Sequence, residues 1–210
     1  MGLLLIFDMD GTLIDSEQSI VRCFRESAGK LGYNIKDASK YIGVLKLTQI
    51  LSKHGVPDSD LPKIMKLYVD CYLNTFQQDT KPIKDSNFAL EKLQDRYELG
   101  ILTLKNLNLT LEIIKRFFPR INFRYIVCGD RPIENKSEGL KIIIQESGVD
   151  PKNIFYIGDR ASDVKSADQA GIRSVWVSFG LGRKSDFNFK SDFKIANSYD
   201  ELLEIFSSKT

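Results

Sequence analysis

The sequence predicts an α/β fold: a mainly parallel sheet covered by helices on both faces, with a helical insert after the first strand. Three observations predict it. Short continuous apolar runs recur along the chain, amphipathic helical patterns separate them, and residues 16 to about 80 hold no convincing strand. Uninterrupted apolar runs this short mark strands buried on both faces, the condition of a parallel sheet with crossover helices.

The predicted strands are Leu3 to Phe7, Leu99 to Leu102, Tyr125 to Cys128, Ile154 to Ile157 and Ser174 to Val177. The helices between them follow from periodicity and end signals. Phe88 to Arg96 is amphipathic. Leu109 to Phe118 carries Ile113, Ile114, Phe117 and Phe118 and stops at Pro119. Ser137 to Ser147 is followed by Gly148, and Ser162 to Ala170 by Gly171, both suited to a helix C-terminus. Ser198 and Glu201 predict a capping box for a last helix over Asp200 to Phe206. In the insert, Ile20, Val21, Phe24, Ala28 and Leu31 form one helical stripe, closed by Gly32. Leu61, Ile64, Tyr68, Cys71 and Tyr72 form another, and Pro82 falls in the return to the sheet.

Composition narrows the function. At 210 residues, with 42% hydrophobic and 28% charged residues, the chain has the make-up of a folded domain with a small insert. A net charge of +2, without a block of like charges, gives no nucleic-acid footprint. Cys23, Cys71 and Cys128 are scattered and odd in number. That argues against a disulfide framework or a structural zinc site, makes each a small buried hydrophobe, and points to a reducing compartment. The N-terminal apolar run is too short for a signal peptide and no stretch is long enough to span a membrane, so a cytoplasmic location is expected.

The chemistry gathers at strand ends. Asp8 and Asp10 are two residues apart at the end of the first strand, so they share a face there, and Gly11 lets the chain turn away. Two carboxylates ~4 Å apart at an effective dielectric of ~20 repel by roughly 4 kcal/mol, so such a pair implies a metal, proton transfer, or both. Taken alone, Asp10-Gly11 also reads as a plain turn. Thr103 ends the second core strand. Lys136 opens a helix, where a cation is misplaced unless it serves an anion. Ile157 to Asp163 again delivers carboxylates, Asp159 and Asp163, between a strand and a helix. Four acids, a hydroxyl and a lysine at one edge of a sheet suit Mg²⁺ beside a phosphoryl group.

In these motifs the chain resembles the haloacid dehalogenase-like hydrolase superfamily, in particular its phosphoglycolate-phosphatase-like branch with a helical cap. The motifs are Asp8-Met9-Asp10-Gly11-Thr12, Ile101-Leu102-Thr103, Lys136, and Gly158 to Asp163, in that order. The resemblance implies that Asp8 is a covalent nucleophile and that Asp10 protonates the leaving alcohol and then deprotonates water. For that Asp10 needs a raised pKa, which crowding by Asp8 and Asp159 would supply. It implies Mg²⁺ held by Asp8, Asp159 and the Asp10 carbonyl, with Asp163 acting directly or through water, and a phosphoryl group held by Thr103 and Lys136. Gly43 to Lys46 falls where relatives meet the leaving group; Lys46 is either a contact for a second anionic group or a surface lysine. His54 reads as a helix-terminal histidine and Trp176 as core.

Two departures stand out: Leu104 follows Thr103 where the branch usually has Asn, and Ser137 follows Lys136 in place of Pro. Relatives that cleave carbon–halogen or phosphonate bonds lack an acid at the position of Asp10, which argues against both reactions here. Ile20 occupies the place of a phosphomutase histidine, which argues for hydrolysis over mutase activity. The expectation is therefore a Rossmann-like three-layer core, residues 1–15 and 83–210, with a cap at 16–82 closing over a small phosphorylated metabolite, and no nucleic-acid or membrane partner. A sugar phosphomutase and a phospho-acceptor signalling domain are the alternatives. A receiver domain also uses an acidic pair, Thr and Lys, but not a late pair such as Asp159 and Asp163.

Overall fold

The computed structural model describes residues 2–207; Met1 and residues 208–210 lie outside the described part. A six-stranded sheet runs in the order β5-β4-β1-β6-β7-β8, and every neighbouring pair is parallel. The strands are β1 (Leu4–Phe7), β4 (Glu98–Leu102), β5 (Phe123–Val127), β6 (Ile154–Gly158), β7 (Arg173–Val177) and β8 (Lys194–Ala196). From β1 the chain first builds outward through β4 and β5. It then returns to the other side of β1 and builds outward again through β6, β7 and β8. The strand order thus reverses about β1, and an open α/β sheet places its ligand crevice at the carboxyl ends of the strands at such a reversal.

Alternation along β1 divides the core. Leu4 and Ile6 pack with Leu140 and Ile143 of α6 (Lys136–Ser147) and Ala167 of α7 (Ala161–Ala170). Leu5 and Phe7 face the other side. There they join Leu90 of α4 (Ser86–Gln94), Ile113 of α5 (Leu107–Phe117) and Leu202 of α8 (Tyr199–Ser207). Successive strand side chains point to opposite faces, so an all-apolar strand needs both layers of helices. The predicted three-layer core follows from that requirement.

The insert is helical, as its two stripes predict. It contains α1 (Glu17–Gly29), a single 3₁₀ turn at Ala38–Tyr41, α2 (Leu47–Lys53) and α3 (Leu61–Asp79). A two-residue antiparallel ribbon, β2 (Ile14–Asp15) with β3 (Lys81–Pro82), ties its two connections to the core together. Helix α1 lies along α3, with Phe24 edge-on to Tyr68 at 6.3 Å between ring centroids. His54 closes α2, its Nδ1 2.8 Å from the Ile50 carbonyl and its Nε2 2.8 Å from that of Lys36.

Some expectations need correction. Cys23 and Cys71 are not separate buried thiols: they form a disulfide that joins α1 to α3. The argument for a reducing compartment loses two of its three cysteines, and Cys128 alone is a free, buried thiol. The pairing escapes the sequence because the two residues lie 48 positions apart and meet only when the helical stripes pack. The capping box of α8 forms with a shift: Ser198 Oγ accepts from Glu201 N at 3.2 Å, but the Glu201 carboxylate reaches Asn197 N instead, at 2.8 Å. Strand β8 was not predicted; it is three residues long with two of them exposed, so it lacks an apolar run. Among the described residues, no helix is long and apolar enough to cross a membrane.

Candidate active site

Register sets the site. Phe7 pairs with Ile101 on one side and Ile157 on the other, so Asp8 emerges level with Leu102 and Gly158. Thr103 and Asp159 follow one residue later on the neighbouring strands. Side chains from two sequence-distant turns therefore converge, and Asp8, Asp159 and Asp163 each offer a carboxylate oxygen within 4.8 Å of the others. All three are at most 1% exposed.

Lys136 joins the cluster from the first residue of α6. Its Nζ lies 3.0 Å from Asp8 Oδ1 and 2.7 Å from Asp163 Oδ1. Asn135 caps that helix by accepting from Glu138 N at 3.2 Å, so Lys136 is free of any capping task. Burial alone would depress its ammonium, but Asp163 and Asp8 outweigh burial and hold it above the ordinary lysine value. The second oxygen of Asp163 accepts the Arg160 backbone N–H at 2.9 Å, closing the N-terminal turn of α7. Asp159 Oδ2 accepts from the N–H groups of Leu181 at 2.6 Å and Gly182 at 3.2 Å, in the loop after β7. Trp176, buried as expected, donates its indole N–H to the Asp159 carbonyl at 2.7 Å.

The cluster holds more negative charge than its neighbours balance. Burial pushes Asp8 well above the usual carboxylate range; Lys136 opposes this, while Asp163, Asp159 and Asp10 add to it. Burial, reinforced by Asp163, pushes Asp159 up to about 6 against the pull of Lys136 and the Leu181 N–H. Asp8 Oδ1 has Lys136, whereas Asp8 Oδ2 is buried without a hydrogen-bond partner. A buried, orphaned carboxylate oxygen among acids fits a hard divalent cation with oxygen ligands. The residues present thus fit the ion that the sequence implied.

Gly11 makes the turn possible. Its φ of +87° suits glycine, and a Cβ there would lie 2.5 Å from Asp159 Oδ2. Gly43, on the insert, faces the same space: a Cβ on it would sit 3.7 Å from Asp8 Oδ2 and 4.0 Å from the Asp10 carbonyl. Lys46 lines the same cavity as Asp10 and Gly43, and its Nζ reaches the Arg131 carbonyl at 3.4 Å. Thr103 is buried; its Oγ accepts the Lys105 N–H at 3.2 Å, which leaves the hydroxyl proton to donate.

Asp10 departs from expectation. Its carboxylate is not one of the three that cluster, and its direct contacts are a cation and a hydroxyl rather than Asp8 and Asp159. Lys105 Nζ lies 3.2 Å from Asp10 Oδ1, and Ser16 Oγ donates to the same oxygen at 2.6 Å. Ser16 stands at the N-cap of α1 yet makes no capping bond; its hydroxyl serves Asp10 instead. Lys105 also lies 4.5 Å from the ring centroid of Tyr72 on α3. Burial would depress its ammonium, but Asp10 and the Tyr72 and Tyr68 phenols hold it above the ordinary value. The sequence reading missed Ser16, Lys105 and the Leu181–Gly182 loop. The one available signal was the spacing of Thr103 and Lys105, two residues apart and so on one side of an extended segment.

The haloacid dehalogenase-like hydrolase family model matches residues 5–177. A phosphoglycolate phosphatase of Nitrosococcus oceani is 24% identical over 216 residues, covering 97% of this chain and 96% of the relative. One of Neisseria gonorrhoeae is 30% identical over 188 residues, covering 84% and 80%. Among solved structures, a predicted phosphatase from Clostridium acetobutylicum superposes with a TM-score of 0.86 at 23% identity, covering all of both chains. A predicted phosphoglycolate phosphatase from Haemophilus somnus does so at 0.79 and 18% identity, covering 98% of each. The fold, the order of the motifs and the family match agree: this chain belongs to the haloacid dehalogenase-like hydrolases.

Proposed function

We propose that this chain is a Mg²⁺-dependent phosphatase that hydrolyses a small phosphate monoester through an aspartyl-phosphate on Asp8. The observation that carries the reading is the asymmetry of the Asp8 carboxylate, with Oδ1 pinned by Lys136 and Oδ2 buried and unpaired. A carboxylate held in one orientation, with cationic help beside it, is a positioned nucleophile.

In the first step an Asp8 oxygen attacks phosphorus, the bond to the ester oxygen breaks, and Asp10 gives that oxygen a proton. In the second, water attacks phosphorus, Asp10 takes the proton back, and Asp8 is released with inorganic phosphate. Ser16 and Lys105 both hold Oδ1 of Asp10, which leaves Oδ2 to carry the proton in both transfers. Lys136 uses two of its three donors on Asp8 and Asp163, and directs the third to a phosphoryl oxygen together with the Thr103 hydroxyl. Asp8, Asp159, Asp163 and the Asp10 carbonyl would hold Mg²⁺, which when bound offsets phosphoryl charge and orients the ester. Residues 16–82 act as the cap, with Gly43 over the carboxylates to exclude water. Ile20, 3% exposed, puts no imidazole near Asp10, in keeping with hydrolysis rather than mutase chemistry.

Phosphate release from a panel of small esters, in Mg²⁺ and in chelator, tests this. Turnover should require the ion, and Asp8→Asn should reduce it on the order of 10³-fold or more with the fold intact. Wild-type rates in Asp8→Asn would remove the nucleophile assignment. A single stoichiometric burst without turnover would favour a phospho-acceptor instead.

A further inference from the structure

A cavity of about 240 Å³ opens beside Asp10, between the helical insert and the loop after β4. Its walls are apolar: Ile42, Leu47, Met65 and Val69 from the insert, Leu104 and Leu109 from the core. The Tyr68 and Thr48 hydroxyls also line it, and the charged groups at its edge have partners of their own. Lys105 is buried against Asp10. Asp130 accepts the Leu107 N–H at 2.9 Å, and the Asn106 side chain accepts the Leu109 N–H at 2.9 Å. Lys46 is turned to the Arg131 carbonyl.

Asp10 ties this space to the chemistry. The oxygen that receives its proton must lie within hydrogen-bond reach, so whatever that oxygen is bonded to extends into the volume next to Asp10. That volume is this cavity. Resting on the phosphatase reading above, we infer that the alcohol half of the substrate is apolar and occupies it. An apolar cavity of about 150 Å³ takes up a benzene-sized molecule, so this one accepts a somewhat larger group. A carboxylate two carbons from the phosphate, as in phosphoglycolate, would meet mainly aliphatic walls, with Lys105 spent on Asp10 and Lys46 drawn to the Arg131 carbonyl at the rim. Leu104, directly after Thr103, supplies one of those walls. The chain thus departs in substrate class from relatives that act on phosphoglycolate.

The test measures kcat/KM in Mg²⁺ for methyl, ethyl, propyl and butyl phosphate beside phosphoglycolate. The series should climb roughly fourfold per methylene (about 0.8 kcal/mol) and pass phosphoglycolate. Val69→Trp, which fills the cavity, should bring the butyl-to-methyl ratio toward one, and Met65→Lys should shift preference toward phosphoglycolate. Hydrolysis with a flat alkyl series, or with phosphoglycolate preferred, overturns the apolar pocket and leaves the phosphatase standing. Hydrolysis of no ester overturns the phosphatase reading and this inference with it. If Val69→Trp fails to fold, the wild-type series decides alone.

Discussion

Replacing Lys105 by methionine removes a buried charge while keeping the length of the side chain. The Lys105 side chain is 3% exposed and that of Asp10 is 9% exposed, with 3.2 Å between Nζ and Oδ1. At that distance and an effective dielectric of ~20, the gross attraction is about 5 kcal/mol. The loss on mutation differs, because Asp10 stays behind with Ser16 as its remaining contact. Breaking one side of a buried pair costs about 3–5 kcal/mol. With a urea m-value of ~3 kcal/mol/M for a chain this size, the unfolding midpoint should fall by roughly 1–1.7 M, read by circular dichroism. Asp10→Asn in the same background should recover part of the loss, since the orphaned carboxylate is gone, with a coupling of ~2 kcal/mol in the double-mutant cycle. A Lys105→Met protein within about 0.5 kcal/mol of the parent, or additive single mutants, would refute the pairing.

Two further outcomes follow from the site and the insert. Asp159, raised to about 6, binds its proton more tightly folded than unfolded, so in chelator this group withdraws roughly 3 kcal/mol of stability as pH rises from about 4 to 6. A Mg²⁺ concentration 100 times its Kd at pH 7.5 would add about 2.7 kcal/mol there, or ~5–10 °C in Tm, and the same concentration should add less at pH 5; a gain independent of pH, or none, contradicts the ion site. The Cys23–Cys71 bond closes a loop with a sequence separation of 48, for which chain entropy gives about 4 kcal/mol. Reductant should lower the urea midpoint accordingly, Cys71→Ser should reproduce the loss and abolish the reductant's effect, and an unchanged midpoint would show the cysteines unjoined.

The sequence revealed elements wherever burial is two-sided. Leu4 to Phe7 and Ile154 to Ile157 are wholly buried, and an apolar run is the direct trace of that condition. The nucleophile candidate and the cluster around it were legible because acids at strand ends carry a cost that a sequence displays. Lys105 carried no such mark. A lysine between Leu104 and Asn106 reads as a solvated loop residue, and only the seating of α3, with Tyr72 over its ammonium, shows it buried. Ser16 is similar: as an N-cap serine it already has an ordinary explanation, which hides its bond to Asp10. Edge strand β8 and the β2–β3 ribbon were out of reach because each spans only two or three residues and owes its pairing to neighbours.

The backbone around residues 180–182 carries no acid, base or nucleophile, yet its variation is governed from elsewhere. A methyl group at 180 would come within 2.3 Å of the Asp159 Cβ, and one at 182 within contact of the Asp159 carbonyl oxygen. An alanine at either position would therefore act as a remote lesion of the acidic cluster, displacing Asp159 some twenty residues back along the chain. In a survey of inactivating substitutions, this quiet stretch would group with the catalytic turns rather than with the surface loops it resembles.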